Sequence, residues 1–255
     1  MLNEDVHSLL ADQLPSGVHQ LDYILSIDSS ITSIIIPNWT CNETNYLTFD
    51  FSRFTLVESI EIGDDCFGSV ETFKIDGLNR LKTIKIGSNS FTQMKNVLWD
   101  ELDYTETNST HNELKSFHIL NCESLESIEI GECSFSDFTG DFEMKNLPQL
   151  QSIQIGIIGT NSYNFFCSSL VIRGLYVVLN MTPLDLPNLQ SITLGDWTFA
   201  NILSAVFESL KCEWQYYFLD LPSLQSIQLG WYALHGRYDE GPCYSLTMRS
   251  SIEMI

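Results

Sequence analysis

A seven-residue pattern of apolar and polar positions recurs along this chain. Its first, fourth and sixth positions are apolar, its third is Ser or Thr, and Gly closes most copies. Six copies align without gaps, at 57–63, 81–87, 125–131, 150–156, 189–195 and 224–230, and a seventh at 31–37 ends in Pro. The alternation within each copy has the two-residue period of a β-strand. The pattern therefore predicts seven strands in equivalent register.

Further apolar columns keep the same register outside this pattern. Eleven residues before the central Ile the chain has Phe49, Phe73, Phe117, Phe142, Met181 and Tyr216. Six residues before that Ile it has Phe54, Leu78, Cys122, Leu147, Leu186 and Leu221. Four residues after the Gly it has Phe67, Phe91, Phe135, Phe199 and Leu234, and Thr160 interrupts this column. One coil alone cannot bury these side chains, each worth roughly 1.5–3 kcal/mol when fully buried, so the coils must stack.

The order of the columns predicts the path of each coil. A short first strand or extended stretch leads into a turn, the second strand and a corner that begins at the Gly. Asn-Leu-Pro or Asp-Leu-Pro at 146–148, 185–187 and 220–222 supplies the turn, because Pro fixes φ. Stacking then aligns the second strands in one parallel sheet, with neighbours about 4.8 Å apart.

The two ends of the chain differ from the repeats. Apolar residues between Val6 and Leu14 have helical spacing, which predicts a short helical cap on the first coil. Residues 245–249 resemble a further first strand, but no second strand follows. We therefore expect an N-terminal cap at 1–30 and a solenoid at 31–255 whose last coil is incomplete. Its open sheet edge favours continuation of the array or self-association.

The repeat resembles the BspA-type leucine-rich repeat of bacterial and protozoan surface proteins. The resemblance covers roughly residues 31–234, in the L-x-x-I-x-I/L pattern, the corner, and the Phe that follows a small residue. Ile31-Thr-Ser-Ile-Ile-Ile-Pro-Asn38 matches the family's strand ending best, whereas later copies end in Gly. The resemblance implies a mainly β, right-handed leucine-rich-repeat solenoid with one continuous parallel sheet. It also implies a role as an adhesin or binding surface.

Irregular insertions interrupt the coils. Successive patterns start 26, 24, 44, 25, 39 and 35 residues apart, so the short spacings give the basal coil. We expect each insertion between the buried Phe and the next first strand, on one side of the coil, where repeat proteins often bind partners. A mixture of acidic and aromatic residues, favoured in interfaces, characterises the first insertion. The alternative is a solvated loop whose aromatic residues cover the solenoid. The residues concerned are Trp99, Asp100, Glu101, Asp103, Tyr104 and Glu106.

Outward residues of the predicted strands form ladders. Glu61, Lys85 and Glu129 share one register position, and Lys82 lies between glutamates in a parallel column. Opposite charges thus meet across the sheet, in pairs worth about 0.2–1 kcal/mol each. Stacked Ser and Gln columns are likewise expected to hydrogen-bond along the axis. Either the ladders set the register, or they form a binding face with a charged N-terminal half and a neutral C-terminal half.

Three cysteines are assigned to the repeat register. Cys66 and Cys133 are placed in the small-residue column before the buried Phe, and Cys122 replaces a Leu, so we expect all three to be buried. Two coils, about 9.6 Å, separate Cys66 from Cys133, which is beyond the reach of a disulfide. Pairing stays open among the cysteines outside the register: Cys41, Cys167, Cys212 and Cys243.

Charge and the start of the chain narrow the classes of partner. The 12 Lys and Arg against 33 Asp and Glu give a formal net charge of −21, which repels nucleic-acid phosphates and anionic membranes. An odd number of cysteines without a C-x-x-C pair favours a reducing compartment. No basic, apolar leader begins the chain, which favours a cytoplasmic location; a fragment of a longer protein could instead belong to the cell surface.

Catalysis has little support in these residues. The rival interpretation is a β-helix enzyme acting on acidic polysaccharides, with Glu61, Lys85 and Glu129 as its cluster. Glutamates at identical register positions are better explained by duplication of the repeat, and the five His form no metal-ligand spacing. We therefore expect no cofactor and no metal. The sequence predicts a non-catalytic module that binds a protein of unknown identity, without nucleic acid or membrane insertion; the alternative is an adhesin-like module that binds protein or glycan.

Overall fold

The strands of this protein form two parallel sheets of eight strands each. The computed structural model describes residues 29–42, 44, 47–93, 115–138, 140–165, 188–196, 198–199, 225–231 and 233, and the backbone of five further strands. The front sheet contains, in spatial order, β1 (Ser8–Leu10), β2 (Ser33–Ile36), β4 (Ser59–Ile62), β6 (Thr83–Ile86), β8 (Ser127–Ile130), β10 (Ser152–Ile155), β12 (Ser191–Leu194) and β15 (Ser226–Leu229). The back sheet contains β3 (Thr48–Asp50), β5 (Thr72–Asp76), β7 (Ser116–Leu120), β9 (Asp141–Lys145), β11 (Ser169–Arg173), β13 (Ala205–Glu208), β14 (Tyr216–Leu219) and β16 (Leu246–Arg249).

The front sheet confirms the seven predicted strands and their register. Ile60 pairs with Ile84, and Ile84 with Ile128, so equivalent residues of successive coils lie side by side. Along β4 and β8, buried residues alternate with residues that face outward. Every regular element that the structure describes is a β-strand, which confirms a mainly β, parallel, repeating architecture.

The prediction of one continuous sheet is wrong, because the first stretch of each coil also pairs with its neighbours. Phe73 and Ile75 point inward from β5, as Phe117 and Ile119 do from β7, so this stretch has its own two-residue period. Its backbone groups hydrogen-bond from coil to coil and build the back sheet. The two sheets enclose one core.

The predicted N-terminal helix is not confirmed. Ser8–Leu10 forms β1, which pairs parallel to β2 with Leu9 beside Ile34. The rest of the predicted cap lies outside the described residues. A neighbouring strand offers backbone partners to this short apolar segment, and that contact overrides a weak helical spacing. At the other end, β16 confirms the predicted further first strand and pairs with β14.

Stacked phenylalanine rings fill the core in two columns. In the back column, Phe73 stacks on Phe117 with ring centroids 4.7 Å apart and planes 5° from parallel. In the corner column, Phe91 stacks on Phe135 at 4.6 Å and 3°. The columns meet edge to face, for example Phe73 on Phe91 at 5.2 Å and 87°. All four rings are fully buried, and their spacing matches that of neighbouring strands.

The corner column is continuous where the sequence predicted an interruption. Phe165, not Thr160, occupies the column, stacked 5.0 Å from Phe135 and 5.2 Å from Phe199. Five extra residues at 157–161 displace the ring along the chain. The insertion therefore begins before the buried Phe in this coil, and the expectation that every insertion follows it is wrong.

In each of the five corners that the structure describes in full, two non-glycine residues have positive φ. Asn89 and Phe91 have φ values of 55° and 57°, and Cys133 and Phe135 both have 58°. A bulky side chain seldom adopts this region, at a cost of about 1–2 kcal/mol. Burial of the ring between two others outweighs that cost. The corner Gly serves close stacking instead: a Cβ on Gly131 would lie 2.7 Å from the Gly87 carbonyl carbon.

The corner geometry corrects the assignment of two cysteines. Cys133 occupies the first positive-φ position, and Ser134 is the residue before Phe135, so Cys133 is half-buried rather than buried. Cys41 belongs to the register of the corner rings, because it lies 26 residues before Phe67. Its φ of 57° is close to the 56° of Phe67. Cys41 ends the corner column as a buried thiol that forms no disulfide.

The later coils also depart from the predicted columns. Leu170 of β11 pairs beside Phe142, where the spacing assigned Met181, a residue outside the described residues. Strand β13 has no predicted counterpart, and it lies between β11 and β14 in the back sheet. Variable coil length here prevents a constant offset from locating the first strand.

Replacement of Phe91 by Ala tests the stacked core. The variant loses ring contacts on both sides and leaves a cavity, so we expect the free energy of unfolding to fall by about 3–5 kcal/mol. Denaturant unfolding followed by circular dichroism measures the change. Phe91→Leu is the matched control and should lose less. A loss below about 1 kcal/mol for the Ala variant would contradict a core built on ring stacking.

Candidate interaction surface

The outer face of the front sheet carries three of the predicted partner-binding residues. Glu61 on β4, Lys85 on β6 and Glu129 on β8 are exposed, and the strand register places them side by side. We call these three residues the charge column. The other six predicted residues lie outside the described residues: Trp99, Asp100, Glu101, Asp103, Tyr104 and Glu106.

The charge column makes no internal ion pair. Within the part of the chain that the structure describes, no salt bridge of 4.0 Å or less and no side-chain hydrogen bond involves Glu61, Lys85 or Glu129. The predicted alternation of charges is therefore correct in position, but these charges do not contact one another. All three side chains keep their charge exposed to solvent.

The neighbouring column behaves differently. The Lys82 ammonium donates a hydrogen bond to Glu58 Oε2 at 2.7 Å, which confirms the predicted cross-strand pair. This hydrogen bond, and then the Lys82 charge, lower the pKa of Glu58, and the same contacts raise the pKa of Lys82. Lys82 is thus engaged within the sheet, whereas Lys85 is not.

The face changes chemistry along the solenoid. Beyond β8 the column continues with Gln154, Thr193 and Gln228, which pair in register and carry no charge. The predicted hydroxyl hydrogen bond along the axis occurs at the other end of the face, where Ser33 Oγ lies 2.9 Å from Ser59 Oγ. The charged half and the neutral half predicted from sequence are both present.

A buried ion pair lies where the first insertion leaves and rejoins the solenoid. Asp137 Oδ2 accepts a hydrogen bond from the Lys115 ammonium at 2.8 Å and one from the Gln93 backbone N–H at 3.2 Å. Gln93 and Lys115 flank the insertion, so one carboxylate holds both of its ends. The Lys115 ammonium also lies 5.6 Å from the centre of the Phe138 ring. Among the residues that the structure describes, the buried Asp137 Oδ1 has no hydrogen-bond partner.

Cys122 and Cys133 are poor nucleophiles. Burial raises the pKa of the Cys122 thiol to about 11, and burial together with the Glu132 charge raises the pKa of Cys133 to about 11. A thiol with such a pKa is protonated at neutral pH, and the thiolate is the reactive form. None of the four described cysteines, Cys41, Cys66, Cys122 and Cys133, forms a disulfide, as predicted for Cys66 and Cys133.

Sequence reasoning missed an exposed apolar group at the corner after the front sheet. Ile157, Ile158 and Trp231 are 43%, 44% and 69% exposed. The available signal was Gly156-Ile-Ile-Gly159, in which two apolar residues stand between glycines where other coils have polar residues.

Comparison of the chain with family models, curated proteins and solved structures gave no match. The BspA-type resemblance therefore stays a prediction. Among the described residues, no group of three or more His, Cys, Asp or Glu side chains is placed to hold a metal ion. No helix in that part of the chain is long and apolar enough to cross a membrane.

Replacement of Asp137 by Asn tests the buried ion pair. The amide keeps the shape of the carboxylate but leaves the Lys115 ammonium, whose side chain is 5% exposed, without a counter-charge. We expect the free energy of unfolding to fall by about 3–5 kcal/mol. Denaturant unfolding of this variant is compared with that of Asp137→Leu/Lys115→Met, which removes both charges and should lose less. Equal losses in the two variants would show that the charge itself is unimportant.

The Glu58–Lys82 pair predicts a pH-dependent stability. Because its folded pKa is lowered, Glu58 stabilises the fold above its ordinary pKa of 4.5, and this contribution disappears as pH falls through the folded value. We expect wild type to be more stable than Glu58→Gln at pH 7, with the difference vanishing in acid. Thermal unfolding across pH measures it. Glu61→Gln, which removes an unpaired carboxylate, is the control; the same pH profile in both variants would contradict the pair.

Proposed function

We propose that this protein is a non-catalytic solenoid module that binds another protein through the outer face of its front sheet. The charge column carries the proposal. Glu61, Lys85 and Glu129 are exposed, aligned and without an ion pair in the part of the chain that the structure describes. Their contrast with Lys82, which is engaged by Glu58, marks the column as the part of the face left for a partner.

The spacing of the column defines the complementary surface. Successive strands lie about 4.8 Å apart, so the column presents negative, positive and negative charges at that interval. A partner with basic, acidic and basic side chains at a similar spacing would match it. Each exposed pair contributes only about 0.2–1 kcal/mol, so the column supplies orientation and specificity, and the surrounding face supplies contact area.

Two observations support a non-catalytic role. Glu61 and Glu129 occupy the register position that holds Lys85 and Gln154 in other coils, as expected for substitutions on a duplicated repeat. The Cys122 and Cys133 thiols, with pKa values raised to about 11, are unsuited to nucleophilic attack at neutral pH. Membership of the BspA-type leucine-rich repeats, proposed on the repeat pattern alone, agrees with a binding role.

Charge reversal of the column tests the proposal. We compare Glu61→Lys/Lys85→Glu/Glu129→Lys with wild type in capturing proteins from a lysate of the source cells. Calorimetry with the purified partner then measures Kd, which we expect to rise at least about tenfold, a loss of 1.4 kcal/mol. Reversal on the outer face of the back sheet changes the net charge equally and should leave Kd unchanged. The control substitutions are Lys74→Glu, Asp76→Lys and Glu143→Lys.

A deletion separates this face from the first insertion. Removal of residues 94–113 shortens the 44-residue spacing to 24, the length of the preceding coil, and Asp137 still holds both ends. Binding that survives the deletion but not the charge reversal supports the proposal. Binding lost on deletion alone would assign the partner to the insertion, and a glycan ligand without a protein partner would contradict the proposal altogether.

A further inference from the structure

We infer that the corner after the front sheet is a second docking surface, which takes a basic, apolar segment of a partner protein. We call this surface the corner ridge, and it does not include the charge column. It consists of Ile158 and of the first residue after the Gly or Pro of each pattern. Those first residues are Asn38, Asp64, Ser88, Glu132, Ile157, Asp196 and Trp231.

The ridge exposes large apolar side chains where the other coils expose polar ones. Asp64, Ser88 and Glu132 occupy the corner in the earlier coils, whereas Ile157 and Ile158 are 43% and 44% exposed. Trp231 is 69% exposed two coils later. Leaving a large apolar side chain in water forgoes roughly 1.5–3 kcal/mol of burial. A cluster of such residues at the surface is typical of an interaction site.

Hydrogen bonds hold the apolar residues in place. Asp196 Oδ1 accepts the backbone N–H of Gly159 at 3.1 Å and that of Trp231 at 3.0 Å, so one oxygen joins the Ile157–Ile158 loop to the Trp231 backbone. Ser162 Oγ accepts the Ile157 N–H at 2.8 Å. A loop ordered before binding loses less conformational entropy when a partner docks, which favours affinity.

The charge of the ridge defines the partner. None of the 12 Lys and Arg residues of the chain falls in the seven corner segments, whereas the ridge residues Asp64, Glu132 and Asp196 do. The Glu132 carboxylate makes no ion pair with any residue that the structure describes. An acidic surface with an exposed Trp favours Lys or Arg beside aliphatic side chains, since cations also bind the face of an indole ring. The corner segments are 37–41, 63–67, 87–91, 131–135, 156–165, 195–199 and 230–234.

The ridge has the length of a short extended segment. Its seven coils span about 29 Å at the spacing of parallel strands, which an extended partner covers with about nine residues at roughly 3.3 Å each. Trp39, 72% exposed in the first coil, lies at the far end. The partner segment therefore runs along the solenoid axis, with apolar side chains at Ile157, Ile158 and Trp231 and basic ones near Glu132.

Synthetic peptides of that length test the ridge on the full chain. The probe is a dye-labelled peptide of alternating Lys and Leu, and the comparison peptides alternate Glu with Leu and Lys with Ser. Fluorescence anisotropy measures Kd. We expect binding of the Lys-Leu peptide, weakening of at least about tenfold in Ile157→Ser/Ile158→Ser/Trp231→Ser, and a smaller weakening in Glu132→Gln.

Matched variants keep the outcome decisive. Leu47→Ser removes an apolar side chain that is 49% exposed outside the ridge, and Glu123→Gln removes an exposed carboxylate at the opposite turn; both should bind normally. If the triple Ser variant loses its fold by circular dichroism, Ile157→Ser/Ile158→Ser replaces it. If the variant with Ser at these ridge positions binds the Lys-Leu peptide with the same Kd as Leu47→Ser, the inference is overturned. The inference is also overturned if the wild-type protein binds the Lys-Ser peptide as tightly as the Lys-Leu peptide, because net charge alone would then explain the binding.

The front-sheet variant distinguishes this inference from the proposed function. Glu61→Lys/Lys85→Glu/Glu129→Lys should bind the Lys-Leu peptide as wild type does, because the charge column lies outside the ridge. Loss of peptide binding in that variant would overturn the ridge and place the peptide on the front sheet.

Discussion

Apolar side chains in this protein are buried by neighbouring coils rather than by their own coil, and the other features of the fold follow from that dependence. Aromatic rings stack between coils at 4.6–5.2 Å, close to the separation of the strands that carry them. Ring stacking and strand pairing therefore demand the same translation along the axis. A coil that satisfies one satisfies the other, and this agreement specifies the register.

The same dependence explains what the corners tolerate. Phe91 and Phe135 adopt positive φ because the ring then lies between two others, and burial outweighs the backbone cost. Gly131 approaches the preceding corner too closely for a side chain. Extra residues are accepted provided that the chain returns a ring to the column, as Phe165 does after the insertion at 157–161. A corner can thus acquire exposed side chains without disturbing the core.

Both proposed binding surfaces use positions that the core does not use. Outward residues of the front sheet differ between coils while the inward ones repeat, and they place the charge column on a regular face. The corner ridge arises differently, from an insertion and from a Trp after the last corner Gly. The first surface offers alternating charge and the second offers apolar contact beside carboxylates, so the two suit partners of different chemistry.

The sequence by itself determined the seven front strands, their register and most inward columns, because a two-residue period at near-constant spacing is a local property of the chain. It also determined that Lys82 and Lys85 lie between glutamates. The tertiary structure decided which of them forms an ion pair, since two side chains at equivalent spacing adopt different contacts. It also decided that a second sheet closes the core, that Ser8–Leu10 is a strand, and that Phe165 replaces Thr160 in the column. These outcomes depend on contacts between coils of unequal length, which no fixed offset along the chain can express.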